Sequence, residues 1–304
     1  LKNYKIFQEA QKQEKTFTFS KNIKTNFMQK IALEKLENLR QKNQTKALII
    51  AATGSGKTYL SAFDVKNFKA KKMLFLVHRE NILISAKQSF ENIIPNKTFG
   101  LFTGNKKEKE KDYLFSTIQT MSLYFEQFEK NEFDYIIIDE AHHVTSPTYK
   151  KVLEYFKPKF LLGLTATSNR MDGNSIYEVF DENIACDIRL NDALEHNLVV
   201  PFHYFGISDI QSIDYENIDL NKIDELAKLL SVNKRADFII EKMNFYSFFG
   251  TKRKAIGFCV SKEHAFFMSE KFNEKGINSI CLTSEDSIQK REETTKKLED
   301  KKDS

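Results

Sequence analysis

Residues 47–63, ALIIAATGSGKTYLSAF, constrain the fold more than any other part of the chain. An apolar run of strand character enters a glycine-rich loop, and a helical pattern follows at once. AATGSGKT (51–58) fits the phosphate-cradle pattern of a glycine-framed loop ending in Lys-Thr, except that Ala51 stands where the general form has glycine. Gly54 and Gly56 let backbone N–H groups turn toward phosphate oxygens without a Cβ clash. The helix that follows adds positive potential at its N-terminus. Thr53, Gly54, Ser55, Gly56, Lys57 and Thr58 are therefore the expected phosphate-binding set. Lys57 is placed to reach the β- and γ-phosphates and the Thr58 hydroxyl to bind Mg²⁺. A plain flexible GSG turn needs neither the Lys-Thr ending nor the strand–loop–helix setting.

A loop of this kind needs a sheet to hold it. ALIIAA (47–52), MLFLV (73–77), TFGLF (98–102), YLFST (113–117), YIII (135–138) and FLLGL (160–164) read as strands. Helical patterns such as TYLSAFDVKNF and ENILISAKQSFENI lie between most of them. The strand runs are mostly continuous rather than alternating, as strands covered on both faces are. The expected fold class is α/β with a mainly parallel sheet.

A second, smaller βαβ pattern lies near the end: AIGFCV (255–260), a helix through KEHAFFMSEKFNEKG closed by Gly276, and INSICL (277–282). Between the two units, residues 206–225 are acidic and poor in strand signal, and read as a linker or insertion. REETTKKLEDKKDS begins as a polar helix with no strand after it, so the second unit is expected to be unfinished.

The chain has 304 residues, enough for two domains, and begins with Leu1, as a piece of a longer protein would. No apolar run approaches the roughly 18 residues of a membrane span, and no signal peptide is visible. Cys186, Cys259 and Cys281 stand alone without metal spacing, which suits a reduced, cytoplasmic chain. The net charge is +5, compatible with a polyanion partner without demanding one, and a compositional bias toward Lys accounts for it equally well. The KKEKEK run (106–111) reads as a solvated loop and most of the 27 Phe as core.

A phosphate cradle needs a carboxylate near its metal, usually at the end of a neighbouring strand. Asp139 follows YIII and fits, with Thr58 as the other Mg²⁺ ligand. Glu140 is then placed to orient and deprotonate an attacking water. Lys57, Asp139 and Glu140 form the catalytic set. His142 and His143 are adjacent and point in different directions on a helix, so a coupling or packing role is expected rather than joint metal ligation.

ATGSGKT, DEAH (139–142) and LTAT (164–167), in this order, resemble the superfamily 2 helicases of the DEAD/DEAH-box class. FMQKIALEKL (27–36) resembles the region whose Gln, here Gln29, contacts adenine. LFLVHRENIL (74–83) and STIQTM (116–121) resemble strand-contacting motifs. Their residues, His78, Arg79, Thr117 and Gln119, are then expected toward nucleic acid. IGFCVSKEHA (256–265) resembles the start of the second motor domain. FDYIIIDEAHH, PKFLLGLTATSNRMDG and PFHYFGISD resemble in particular the bacterial restriction-subunit (type III res-like) group. The usual Pro after TAT is Ser168 here.

The resemblance implies two RecA-like domains, the second incomplete. It implies ATP and Mg²⁺ as cofactors, and nucleic acid, DNA rather than RNA, as partner, with a nuclease or methylase domain or subunit beside the motor and no membrane. His142, Thr165 and Thr167 would couple nucleotide state to the strand path. The expected extents are a lead-in at 1–24, the ATP-binding domain at 25–205, a linker or insertion at 206–235 and a partial second domain at 236–304. The expected function is an ATP-dependent helicase or translocase. The alternative is a nucleotide- and nucleic-acid-binding subunit without motor activity. The sequence stops before the late arginine-rich motif of the family, whose arginine finger is worth about 10³ to 10⁵ in rate. Binding of nucleotide with weak hydrolysis is therefore expected of this chain alone.

Overall fold

The computed structural model describes residues 23–167, 176–210, 219, 222–246 and 253–299. The chain divides into two compact units, Leu1–Phe202 and His203–Ser304.

The first unit is built on a seven-stranded, wholly parallel sheet. Its strands are β1 (Lys46–Ala51), β2 (Met73–Val77), β3 (Phe99–Phe102), β4 (Tyr113–Thr117), β5 (Tyr135–Asp139), β6 (Phe160–Thr165) and β7 (Ile184–Ile188). They lie in the order β3-β4-β2-β5-β6-β1-β7. Six of the seven are the strands expected from the sequence. The seventh was not anticipated. It is an edge strand whose pattern, exposed at Ile184 and Asp187 and buried between, carries only a short apolar signal.

Both faces of the sheet are covered, which is why the strand sequences run apolar without alternation. Ile49, Phe75, Phe115, Ile137 and Leu162 point to one side. There they pack under α1 (Phe27–Gln41), α2 (Lys57–Phe68) and α3 (Glu80–Ile93). Leu48, Leu76, Leu114, Ile136 and Ile138 point to the other. There they meet α4 (Ile118–Tyr124), α5 (Pro147–Tyr155) and the aromatic cluster of Phe125, Phe128, Phe133 and Phe156. All five residues of β2 are wholly buried, each worth about 1.5–3 kcal/mol relative to exposure. The pairing registers Leu76↔Ile138, Val77↔Thr117, Asp139↔Leu164 and Ile50↔Thr165 bring the strand exits level. Parallel strands leave a sheet in one direction, so the segments after β1, β2, β4, β5 and β6 share one edge.

The second unit contains α8 (Ile223–Leu230), α9 (Asn233–Phe245), α10 (Lys262–Glu274) and α11 (Ile288–Glu299); the numbering follows α6 (Ile176–Val179) and α7 (Leu190–Glu195) of the first. α10 is the helix expected there, capped by the Ser261 hydroxyl. It is closed by Gly276 at φ 76°, with Ile277 N–H donating to Phe272 and Gly276 N–H to Asn273. The strands expected at 255–260 and 277–282 do not form. A strand exists only through its pairing, and among the described residues neither run has a ladder partner. Ile256, Phe258 and Ile280 are correspondingly exposed. Part of the stretch expected as a linker is helical, as α8.

Candidate nucleotide site

The loop between β1 and α2 turns at Gly54 (φ 83°) and Gly56 (φ 88°), left-handed conformations that only glycine adopts without strain. A Cβ at Gly56 would also meet the Gln29 side-chain nitrogen at 2.8 Å. Ser55 is buried, and its hydroxyl donates to the Ala52 carbonyl at 2.7 Å, which fixes the turn. Thr53 and Gly54 are exposed, and Thr58 is half-buried in the first turn of α2. Lys57 Nζ donates to the carbonyls of Ala51 and Ala52 at 2.8 and 3.3 Å.

β6 separates β1 from β5 in the sheet, so the loop and the acids lie two strand spacings apart, about 10 Å. A lysine side chain spans much of that distance. Burial lowers the Lys57 pKa, and the charges of Asp139 and Glu140 oppose the shift. Asp139 is buried, and its pKa is pushed up to about 6, first by burial and then by Glu140. The Glu140 N–H, donating to Asp139 Oδ1 at 3.0 Å, and the Lys57 charge work against that rise. Glu140 itself sits in the left-handed region at φ 54°, ψ 50°, a conformation costing a residue with a Cβ about 1–2 kcal/mol. Its carboxylate remains partly exposed, and Oε2 lies 3.2 Å from His142 Nδ1.

His142 reaches the next strand as well, with Nδ1 3.3 Å from Thr165 Oγ1. A carboxylate oxygen only accepts, so Nδ1 carries the proton and is shared between Glu140 and Thr165. Thr165 is buried and donates to the Thr167 carbonyl at 2.7 Å, while the Thr167 N–H donates back to Thr165 Oγ1. Ser168 lies outside the described residues.

The other residues expected at a site fall into two groups. Gln29 is buried against the cradle, with Nε2 donating to the Gly56 carbonyl at 3.1 Å. Its Oε1 accepts from the Asn26 N–H, completing a reciprocal cap of α1. At the exits of β2 and β4, His78, Arg79 and Gln119 are exposed, and Gln119 Nε2 lies 3.1 Å from His78 Nδ1. Thr117 is not exposed. Its hydroxyl caps α4, accepting from the Thr120 N–H at 3.3 Å and donating to Thr120 Oγ1.

Two residues of the site's surroundings carry no signal in the sequence pattern. The Tyr149 hydroxyl of α5 is buried with no hydrogen-bond partner among the described residues. Its pKa is raised by burial and then by the charges of Asp139 and Glu140, so this ring lies beneath the acidic turn. Asp64 on α2 is fully buried and receives Arg40 of α1 through two hydrogen bonds at 2.9 and 3.0 Å, and the Tyr135 hydroxyl of β5 as a third donor. This network fixes α1, and hence Gln29, against the helix that follows the cradle. Among the described residues no three His, Cys, Asp or Glu side chains are grouped to hold a metal on their own. Thr58 and Asp139 would share a Mg²⁺ with phosphate oxygens and water, the usual arrangement for this ion.

Residues 22–170 match the model of the family described as type III restriction enzyme, res subunit. The Schizosaccharomyces pombe protein irc3, named as a candidate mitochondrial ATP-dependent helicase, is 27% identical over 274 residues, covering 84% of this chain and 44% of its own length. A solved fragment of a candidate HsdR subunit of a type I restriction enzyme from Vibrio vulnificus YJ016 superposes with a TM-score of 0.60 at 23% identity, over 83% of this chain and 45% of that one. The ATP-dependent type ISP restriction-modification enzyme LlaBIII, solved bound to DNA, gives 0.60 at 19% identity, over 85% and 22%. The chain thus spans less than half the length of each. Residues 22–170, just under half of the chain, match the type III restriction enzyme res-subunit family, and the first unit has the RecA-like fold of the superfamily 2 helicases.

Proposed function

We propose that the chain is the nucleotide-binding part of an ATP-driven motor that acts on nucleic acid, DNA rather than RNA. The observation that carries this reading is the convergence of the cradle and the acidic turn. Lys57 feels the charge of both Asp139 and Glu140 across the single strand that separates them. In this reading the loop from Thr53 to Gly56 holds the phosphates through its N–H groups. Lys57 neutralises the β- and γ-phosphates, Thr58 and Asp139 share Mg²⁺, and Glu140 orients and deprotonates water. Mg²⁺ would supply charge neutralisation on the phosphate oxygens. Gln29 borders the base, and His78, Arg79 and Gln119 face the strand path. The matched family's restriction-enzyme name favours DNA, and the positive net charge is compatible with either nucleic acid.

The domain extents proposed are those expected from sequence: 25–205 for the ATP-binding domain, 206–235 for a connecting insertion and 236–304 for a partial second domain. A nuclease or methylase partner and a cytoplasmic, reducing compartment complete the proposal; the three free cysteines fit the latter.

Nucleotide- and nucleic-acid binding without translocation is the second reading. It is favoured by the absence of paired strands among the described residues of the second unit. Turnover and binding measured together test the first. Glu140→Gln is expected to keep Mg²⁺-ATP affinity and to lower DNA-stimulated hydrolysis about 100-fold or more. Hydrolysis unaffected by that change would remove Glu140 from the chemistry.

A further inference from the structure

Three histidines form a contiguous row of tilted rings between the nucleotide acids and the exposed residues beyond β2 and β4. The His142 and His143 rings lie 4.1 Å apart at 47°, and the His143 and His78 rings 5.1 Å apart at 32°. At one end His142 Nδ1 touches Glu140 and Thr165, at 3.2 and 3.3 Å. At the other end Gln119 Nε2 lies 3.1 Å from His78 Nδ1. An amide nitrogen can only donate, so Nδ1 of His78 accepts.

The sheet order explains why this row exists. β4, β2, β5 and β6 are consecutive neighbours, and their level exits deliver Gln119, His78, His142 with His143, and Thr165 in spatial sequence. Burial is graded along it: Gln119 and His78 are exposed, His142 and His143 half-buried, Thr165 buried. A ligand arriving at the exposed end therefore competes for groups whose displacement is felt by the ring behind them.

We propose that His143 is a positioning residue that transmits occupancy of a nucleic-acid strand at His78 and Gln119 to Glu140 through His142. The inference rests on the functional reading above and deepens it. A phosphate at His78 and Gln119 draws the Gln119 amide away and shifts the His78 ring. His143, packed against it, follows, and so does His142. The consequence at the inner end is a change in how the Nδ1 proton is divided between Glu140 and Thr165. Glu140 is thereby aligned or released according to whether a strand is bound. Two sites that share such a contiguous element must influence each other's affinities reciprocally.

The test is equilibrium binding of a fluorescent, non-hydrolysable ATP analogue with Mg²⁺, in the presence and absence of a short oligothymidylate. The wild-type chain is expected to bind the analogue at least about fivefold more tightly with the oligonucleotide present, the lower end of ordinary coupling between sites. His143→Ala is expected to bring that ratio close to unity while leaving the affinity without oligonucleotide unchanged. His143→Phe, which keeps a ring, retains the ratio. His78→Ala abolishes it, and the double variant loses nothing further.

A wild-type ratio of unity with both ligands bound, or a ratio undiminished in His143→Ala, overturns the inference and leaves the nucleotide site standing. A wild-type chain that binds no nucleotide overturns both. Should His143→Ala fail to bind nucleotide, His78→Ala against His143→Phe decides, and a ratio preserved in His78→Ala overturns the inference.

Discussion

Glu140 and Asp139 carry opposite kinds of strain. Glu140 holds a left-handed backbone, and Asp139 holds a charge in a buried place. The Asp139 pKa is raised in the fold from 3.8 to about 6, chiefly by burial. A carboxyl group with a raised folded-state pKa binds more protons folded than unfolded. Its contribution to stability is full below pH 4 and is lost as pH rises through about 6. Asp139→Asn removes that loss. It is expected to stabilise the chain at pH 7–8 by about 2–3 kcal/mol and to flatten the dependence of unfolding on pH between 4 and 6. Chemical denaturation across this pH range measures both, and an equal pH slope in the variant would show that Asp139 is not the group responsible. At this scale the sequence was informative where chemistry dictates residue type. Gly54, Gly56, Lys57 and the Asp-Glu pair stood out because few residues can do what a phosphate cradle requires. Tyr149 did not, because a tyrosine on an amphipathic helix announces only burial.

At the scale of elements, α1 shows what a local pattern omits. Its capping by Asn26 and Gln29 follows from the order of residues. Its anchorage does not, since Arg40 finds Asp64 24 residues away, and the Tyr135 hydroxyl reaches the same carboxylate from much further along the chain. The guanidinium also lies over the Phe160 ring at 5.1 Å. Arg40→Met leaves a buried carboxylate with one donor, the Tyr135 hydroxyl, in place of three. It is expected to destabilise the chain by about 3–5 kcal/mol, as breaking a buried ion pair does. That corresponds to a fall in Tm on the order of 10 °C for a unit of this size. A double change with Asp64→Leu should recover much of the loss, because both charges are then gone. Thermal unfolding of the wild type and the two variants checks this, and a single variant as stable as the wild type would contradict it. The strands tell a similar story. Six are visible as apolar runs, while β7 is hidden by its short apolar signal and by Asp187, which its edge position tolerates.

For the whole molecule, the first unit closes its core on both faces of the sheet, whereas the second leaves apolar side chains in water. Phe258 is 95% exposed and Ile256 70%. Surfaces of this kind bind hydrophobic dyes, so an environment-sensitive dye is expected to bind the native chain, and Phe258→Ser to reduce the signal measurably without lowering Tm. An unaltered signal would place the apolar surface elsewhere. The sequence suggested strands at 255–260 and 277–282 because β-branched and aromatic runs suit them. Composition gives the propensity for a strand but not the neighbour that makes it one.

The central claim is that the cradle and the acidic turn form one nucleotide site. Calorimetric titration of the chain with ATP, with and without Mg²⁺, tests it most directly. The wild type is expected to show saturable single-site binding that Mg²⁺ strengthens. Lys57→Ala should weaken it about tenfold or more in either condition, a cost of about 1.4 kcal/mol or greater. Asp139→Ala should cancel only the gain from Mg²⁺. Wild-type binding that neither substitution alters would contradict the claim.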